Sequence, residues 1–156
     1  MHIDYTAWAS EKLVAEAARL SPGELNHDFH TADRSVLETL VHIFAADRLW
    51  LFRLAGGADP GFVADADRSL AALETEWPAV LGQWQEWAGK LTDEAAVREV
   101  AYSDMDGRKF SQPLWQLVLH VVNHGTHHRG QVSGFLRALG HTPPELDLDA
   151  YYWLRR

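Results

Sequence analysis

Four long stretches of helix-forming residues, separated by breaks rich in glycine and proline, constrain the fold of this chain more than any other feature of its sequence. Serine, aspartate or proline stands where such stretches begin, and Ser-Pro-Gly or glycine stands where they end, as is usual at helix boundaries. The stretches cover residues 4–20, 33 or 35–54, 69–91 and 113–139. Four amphipathic helices of this length predict an all-α four-helix bundle.

Three smaller features complete the predicted architecture. Pro78 lies inside the third stretch, where it should kink the helix or mark a boundary. Residues 97–102 alternate as a β-strand does and precede the turn dipeptide Asp106-Gly107, which predicts a short hairpin of 97–102 with 108–111 before the last long helix. The final segment, 143–156, is rich in leucine and aromatic residues and should fold back onto the bundle. Without internal repeats, we interpret residues 1–156 as one domain.

Composition excludes several classes of function. The chain has no cysteine, so it has neither disulfides nor thiolate ligands, and a thiol in the chemistry must come from a second molecule. Fourteen basic and 22 acidic residues give a net charge of −8, which disfavours nucleic acid as a partner. No apolar run is long enough to predict a membrane span, and the N-terminal residues do not resemble a secretory signal. We therefore expect a cytoplasmic protein.

The histidines are unevenly distributed. Four of the nine lie within nine residues of the last predicted helix: His120, His124, His127 and His128. At 100° per residue, His128 points into the apolar seam and His124 lies beside it, whereas His120 and His127 lie at its edge. Thr126 and Arg129 are expected to point away. A pair of histidines four residues apart can bind one metal ion, although such pairs more often form hydrogen bonds within a core.

A further histidine, His42, lies within an apolar part of the second predicted helix. A buried imidazole needs a polar partner, which a hydroxyl, a carbonyl or a shared metal can supply. Three histidine ligands would leave an open coordination position, as in catalytic zinc sites. Asn123 and Gln131 are candidates for orienting a cofactor or ligand, and His120 and His127 for moving a proton. Glu38, one turn before His42, is the candidate general base for water activation.

The run NHGTHHRGQ, from Asn123 to Gln131, resembles the C-terminal motif of the DinB/YfiT-like family of metal-binding four-helix proteins. Segments 5–13, 39–51 and 145–151 resemble its opening helix, its second-helix motif and its closing segment. The resemblance implies a divalent metal bound by His42, His124 and His128, and a homodimer. Related branches of the family are transferases and isomerases that use bacterial thiols such as bacillithiol or mycothiol, and glutathione in some cases.

Three functions therefore remain open from the sequence. The first is metal-dependent transfer of a low-molecular-weight thiol to an electrophilic small molecule. The second is a metal-dependent hydrolase, and the third is a non-catalytic protein of the stress response that binds a metal or a small molecule. Three imidazoles accept zinc or nickel most readily here, and iron or manganese are also possible.

Overall fold

All four predicted long helices are present in the computed structural model, which describes residues 2–104 and 106–155. A single 3₁₀ turn, Asp65–Asp67, lies in the connection between the second and third of them. In chain order the elements are α1 (His2–Ala17), α2 (Pro22–Leu25), α3 (Val36–Ala55), α4 (Leu70–Ala88), α5 (Asp93–Ala96), β1 (Glu99–Ser103), β2 (Lys109–Pro113), α6 (Leu114–Ala138) and α7 (Leu148–Trp153). The helical fold with one small hairpin is confirmed.

Serine side chains set the starts of two long helices. The Ser35 hydroxyl accepts a hydrogen bond from the backbone N–H of Glu38 at the start of α3, and Ser69 caps α4 in the same way. The cap of α3 is therefore Ser35 and not Asp33, which leaves the Asp33 carboxylate free for another role. At the other end of α3, Gly56 adopts a φ of 83°, which a glycine reaches without steric cost.

Some boundaries differ from the prediction. The first helix ends at Ala17, before residue 20, and the Ser-Pro-Gly break itself forms the short helix α2 behind a capping box made by Ser21 and Glu24. Helix α4, the third of the predicted long helices, ends at Ala88, before residue 91, and Pro78 does not interrupt it. Trp77, directly before this proline, and Leu81, three residues after it, are buried in the core, so tertiary packing offsets the missing backbone hydrogen bond.

The predicted hairpin is present, with both strands shifted by one or two residues towards the C-terminus, and the C-terminal segment folds back onto the bundle as expected. Strands β1 and β2 are antiparallel, with Glu99 opposite Pro113 and Ser103 opposite Lys109. The C-terminal segment returns to α1, where the Tyr5 hydroxyl donates to the backbone oxygen of Leu146 at 2.8 Å. Nowhere in residues 2–104 and 106–155 does a helix combine the length and the apolar character that a membrane span requires.

Helix α3 lies at the centre of the packing. It contacts α6 on one side and α4 on another, and α1 packs against both α4 and α6. Fully buried side chains from these helices form the core, among them Leu13, Leu40, Phe44, Leu73, Trp77 and Leu136. Burial of each such side chain is worth about 1.5–3 kcal/mol. The contact between α3 and α6 brings two histidine-bearing helices side by side.

Candidate metal centre

Three histidines converge where α3 meets α6. His42 extends from α3, and His124 and His128 extend from successive turns of α6. One ring nitrogen of each lies within 4.8 Å of the other two, and Nε2 of His42 is 3.0 Å from Nε2 of His124. The three ring centroids are 4.5–4.9 Å apart. This group could hold a metal ion.

Asp33 lies behind two of the rings, a role that the sequence did not suggest. Its Oδ2 is 3.2 Å from Nδ1 of His128, and its Oδ1 is 3.9 Å from Nδ1 of His42. The negative charge of Asp33 favours the tautomer that carries the proton on Nδ1, which leaves the Nε2 lone pair available. Carboxylates behind metal-binding histidines act in this way. Asp33 lies in the loop before α3, and no helical spacing relates that loop to α6.

Gln131 also contacts a candidate ligand. Its Oε1 is 3.1 Å from Nδ1 of His128, and its Nε2 donates to the Thr31 hydroxyl at 3.2 Å. The sequence suggested Gln131 as a residue that orients a cofactor or ligand. In the structure it contacts the His128 ring, on the same nitrogen that Asp33 approaches, and links it to the loop before α3.

Burial and mutual repulsion favour the neutral form of two of these imidazoles, those of His42 and His124. Burial, followed by the charges that neighbouring imidazoles would carry, lowers the pKa of His124 to about 4. Burial also lowers the pKa of His42, an effect that the negative charge of Asp33 opposes. The side chain of His42 is 43% exposed and that of His128 is 13% exposed, so the cluster is open on the α3 side. Neutral imidazole is the form that binds metal ions.

The two other histidines of α6 lie outside the group of three. The His120 ring packs on Trp50 at 5.2 Å and lies 5.9 Å from the His124 ring. His127 is exposed, with its ring 4.9 Å from that of His128. Both are therefore near the cluster without being part of it, and His120 is accessible to solvent for proton exchange.

The remaining candidates are Asn123 and Glu38. Asn123 is exposed on α6. Glu38 lines a cavity of about 240 Å³ that also borders His42, and its carboxylate is bound by the guanidinium of Arg68. At least one oxygen of this candidate base is therefore taken up by the ion pair.

Arg129 corrects one expectation from the helical projection. It does not point away from the bundle, because only 1% of the residue is exposed. It packs instead towards α1, where its Nη1 is 3.4 Å from the Ser10 hydroxyl and its guanidinium lies over the Tyr5 ring. Because α1 and α3 both cover α6, the buried face of α6 is wider than the apolar seam visible in its sequence. Thr126 is exposed, as expected.

Comparison with known proteins places this geometry in context. Residues 2–155 match the sequence model of the DinB family. Protein DinB of Bacillus subtilis (strain 168) is 21% identical over 163 residues, which cover 98% of this chain and 92% of that protein. A crystal structure of a DinB-like protein from Bacillus cereus ATCC 10987 is similar with a TM-score of 0.58 and 19% identity, and the match covers 88% of this chain and 90% of that one.

Proposed function

The chain belongs to the DinB family, and from this premise we propose that it binds one divalent metal ion through His42, His124 and His128 and uses it to join a low-molecular-weight thiol to an electrophilic small molecule. The observation on which this depends is the convergence of three imidazoles, two of them with a carboxylate behind Nδ1. Three protein ligands leave a coordination position for a substrate atom.

The donor set fits a metal of the zinc type. With zinc–nitrogen bonds of about 2.0–2.1 Å, tetrahedral coordination separates two ligand nitrogens by about 3.3 Å. The Nε2 atoms of His42 and His124 are 3.0 Å apart, close to that separation. Imidazole suits zinc and nickel, and also iron, so the metal is to be determined by measurement.

The chain itself has no cysteine, so the thiol must come from a cosubstrate. A bound divalent metal favours the thiolate form of a coordinated thiol. The sulfur then forms a bond to the electrophilic carbon, and the leaving group departs with its electron pair. The thiol proton has to leave the site. Two exposed histidines are close enough to accept it and exchange it with solvent: His120, 5.9 Å from the His124 ring, and His127, 4.9 Å from the His128 ring.

Metal analysis of purified variants tests the ligand set. His42→Ala, His124→Ala and His128→Ala should lose the ion that the wild type retains after exposure to zinc, nickel, manganese or iron. His127→Ala is the matched control, because its ring contacts His128 from outside the group of three and its removal should leave the metal in place. A wild type that stays metal-free contradicts metal binding, and metal loss in the control variant contradicts the choice of ligands.

Activity assays test the reaction. The metal-loaded protein is incubated with bacillithiol, mycothiol or glutathione and a chromogenic electrophile, and conjugate formation above the uncatalysed rate is the expected result. Turnover of an ester panel without thiol would favour a hydrolase instead. The Glu38 carboxylate, held by Arg68, gives that alternative less support. No activity in either assay, with metal bound, would favour a non-catalytic binding protein.

We also propose that the chain forms a homodimer through an apolar face near the start of α6. Large hydrophobic side chains are exposed there, directly after α5 and on the hairpin, namely Trp115, Leu119, Val97 and Phe110. An apolar cavity of about 320 Å³ lies between Trp115, Leu119 and Leu91. Exposed apolar patches commonly mark association sites. Sedimentation analysis should give a dimer for the wild type and a monomer for Leu119→Glu; a monomeric wild type contradicts the proposal.

A further inference from the structure

Arg129 is a buried cation that immediately follows a proposed metal ligand, and the proposed function leaves its role open. A charge that is 1% exposed is costly unless other groups hold it, and its own Nε has no hydrogen-bond partner within the described residues. Buried charges often stabilise a fold no better than well-packed apolar side chains of similar size. The burial of Arg129 therefore points to a geometric role, which its contacts define.

The guanidinium is enclosed on several sides. Its Nη2 donates to the hydroxyl of Thr126 at 3.1 Å, and its Nη1 is 3.4 Å from the hydroxyl of Ser10 on α1. The Tyr5 ring of α1 lies 5.4 Å from its central carbon. On the α6 side it lies over Gly125, where a Cβ would come within 2.7 Å of Nη1. The side chain thus fills the space between α6 and α1.

An electrostatic contact extends across the core to α3. Asp47 of α3 is 2% exposed, and its carboxylate accepts a hydrogen bond from Nε1 of Trp77 at 2.9 Å. Burial raises the pKa of Asp47 to about 6, and the Trp77 hydrogen bond and, to a smaller extent, the charge of Arg129 act in the opposite direction. The carboxylate is therefore ionised at neutral pH and attracts Arg129. Arg129 is held to α1 by contact and to α3 by charge.

We propose that Arg129 is a positioning residue of the metal centre: held by α1 and seated on Gly125, it sets the rotation of α6 at which His124 and His128 face His42. The inference rests on the proposed metal binding. Side chains reach about 5–6 Å from a helix axis, so a rotation of about 10° moves their ends by about 1 Å. Metal–ligand distances tolerate only about 0.2 Å, so such a rotation changes affinity and coordination geometry.

The test uses Arg129→Lys, which keeps the charge but cannot reproduce the planar fork that reaches Ser10 and Thr126 together. Zinc affinity is measured by competition with a chromogenic chelator, and coordination geometry by the visible absorption bands of the cobalt(II) form. We expect zinc to bind about 10–100-fold more weakly and the cobalt(II) bands to change in position and intensity. Ser10→Ala removes one partner only and should weaken zinc binding by about 2–10-fold.

A control separates positioning from general stability. Leu73→Ala creates a cavity in the core from α4, a helix that carries none of the three histidines, and should lower stability without changing the cobalt(II) spectrum or the zinc affinity. If Arg129→Lys behaves like this control, the positioning role is wrong. If Arg129→Lys does not fold, Ser10→Ala decides: wild-type affinity and spectrum overturn the inference. A wild type that binds neither metal overturns the proposed function itself.

Discussion

Replacing Gly125 by alanine should destabilise this protein, although a glycine-to-alanine change within a helix usually makes a protein more stable. In an exposed helical position, Gly→Ala contributes about 0.5–1 kcal/mol of stability, because it restricts the unfolded chain. At Gly125 the new Cβ would lie 2.7 Å from Nη1 of Arg129 and 3.4 Å from its Cζ. The guanidinium is the flexible end of its side chain, but it is buried and contacts Ser10, Thr126 and Tyr5, so it can move only by giving up those contacts.

The magnitude follows from the two ways in which the helix can respond. If Arg129 stays, the overpacked contact costs about 1–3 kcal/mol. If Arg129 moves, it gives up its hydrogen bonds to Ser10 and Thr126, and bonds to a charged group are worth about 1.5–3 kcal/mol. The gain of about 0.5–1 kcal/mol from helix propensity offsets part of either cost. We expect Gly125→Ala to lower the free energy of unfolding by up to about 2.5 kcal/mol, and to weaken zinc binding as well.

Gly130→Ala is the matched control on the same helix. Gly130 is exposed, and a Cβ there would meet nothing within 4 Å, so this variant should gain about 0.4–1 kcal/mol. Urea unfolding of both metal-free variants measures the difference directly. In thermal unfolding each kcal/mol corresponds to about 2–4 °C for a chain of this size. If Gly125→Ala is stabilised to the same extent as Gly130→Ala, the position of the Arg129 guanidinium does not require a glycine at residue 125, and the packing argument fails.

Three further predictions concern the carboxylates. Asp33→Asn should weaken zinc binding by about 10–100-fold in a chelator competition, whereas Asp28→Asn, on an exposed carboxylate paired with Arg34, should leave it unchanged. The pKa of Asp47 is about 6 in the folded protein and about 3.9 in the unfolded chain, so the folded state holds the Asp47 proton more tightly. The stability that this proton contributes is complete below about pH 4 and is lost as the pH rises through 6. Asp47→Asn should remove that loss, up to about 3 kcal/mol in urea unfolding of metal-free protein; parallel pH curves for variant and wild type would contradict this. Trp77→Phe removes the donor to Asp47 and should lower stability at pH 7 by about 1–3 kcal/mol, and an unchanged urea midpoint would show that the bond contributes nothing.

Local rules were sufficient for the long helices. Helix periodicity, serine caps and glycine stops act within a few residues, so the sequence alone predicts where α3, α4 and α6 lie to within about two to four residues. The same local geometry aligns His124 and His128 on one face of α6. Their proximity to His42 is of a different kind, because it depends on α3 packing against α6. The family resemblance supplied that pairing in the sequence analysis, and in the structure the three rings lie together.

Asp33 shows where local rules end. As a residue before a helix it has two plausible uses, to cap α3 or to contact another part of the chain, and both fit the sequence equally well. Ser35 takes the cap, so the carboxylate of Asp33 is available to the Nδ1 atoms of His42 and His128. The choice is made by the path of the loop and by its contact with α6. Neither is encoded in a spacing that can be recognised along the chain.

The prediction that Arg129 points away from the bundle was wrong for a related reason. The sequence contained one ambiguous indication of its burial. An interior glycine costs a helix about 1 kcal/mol relative to alanine, so each glycine within α6 suggests a close approach by another group. That helix contains Gly125, Gly130 and Gly134, and only at Gly125, one turn before Arg129, would a Cβ meet a neighbour. A small residue followed by an arginine four positions later therefore indicates that the guanidinium packs on the small residue only where another helix covers that face of the helix. Here α1 covers it, so the prediction for Gly125→Ala is at the same time a test of how α1 packs on α6.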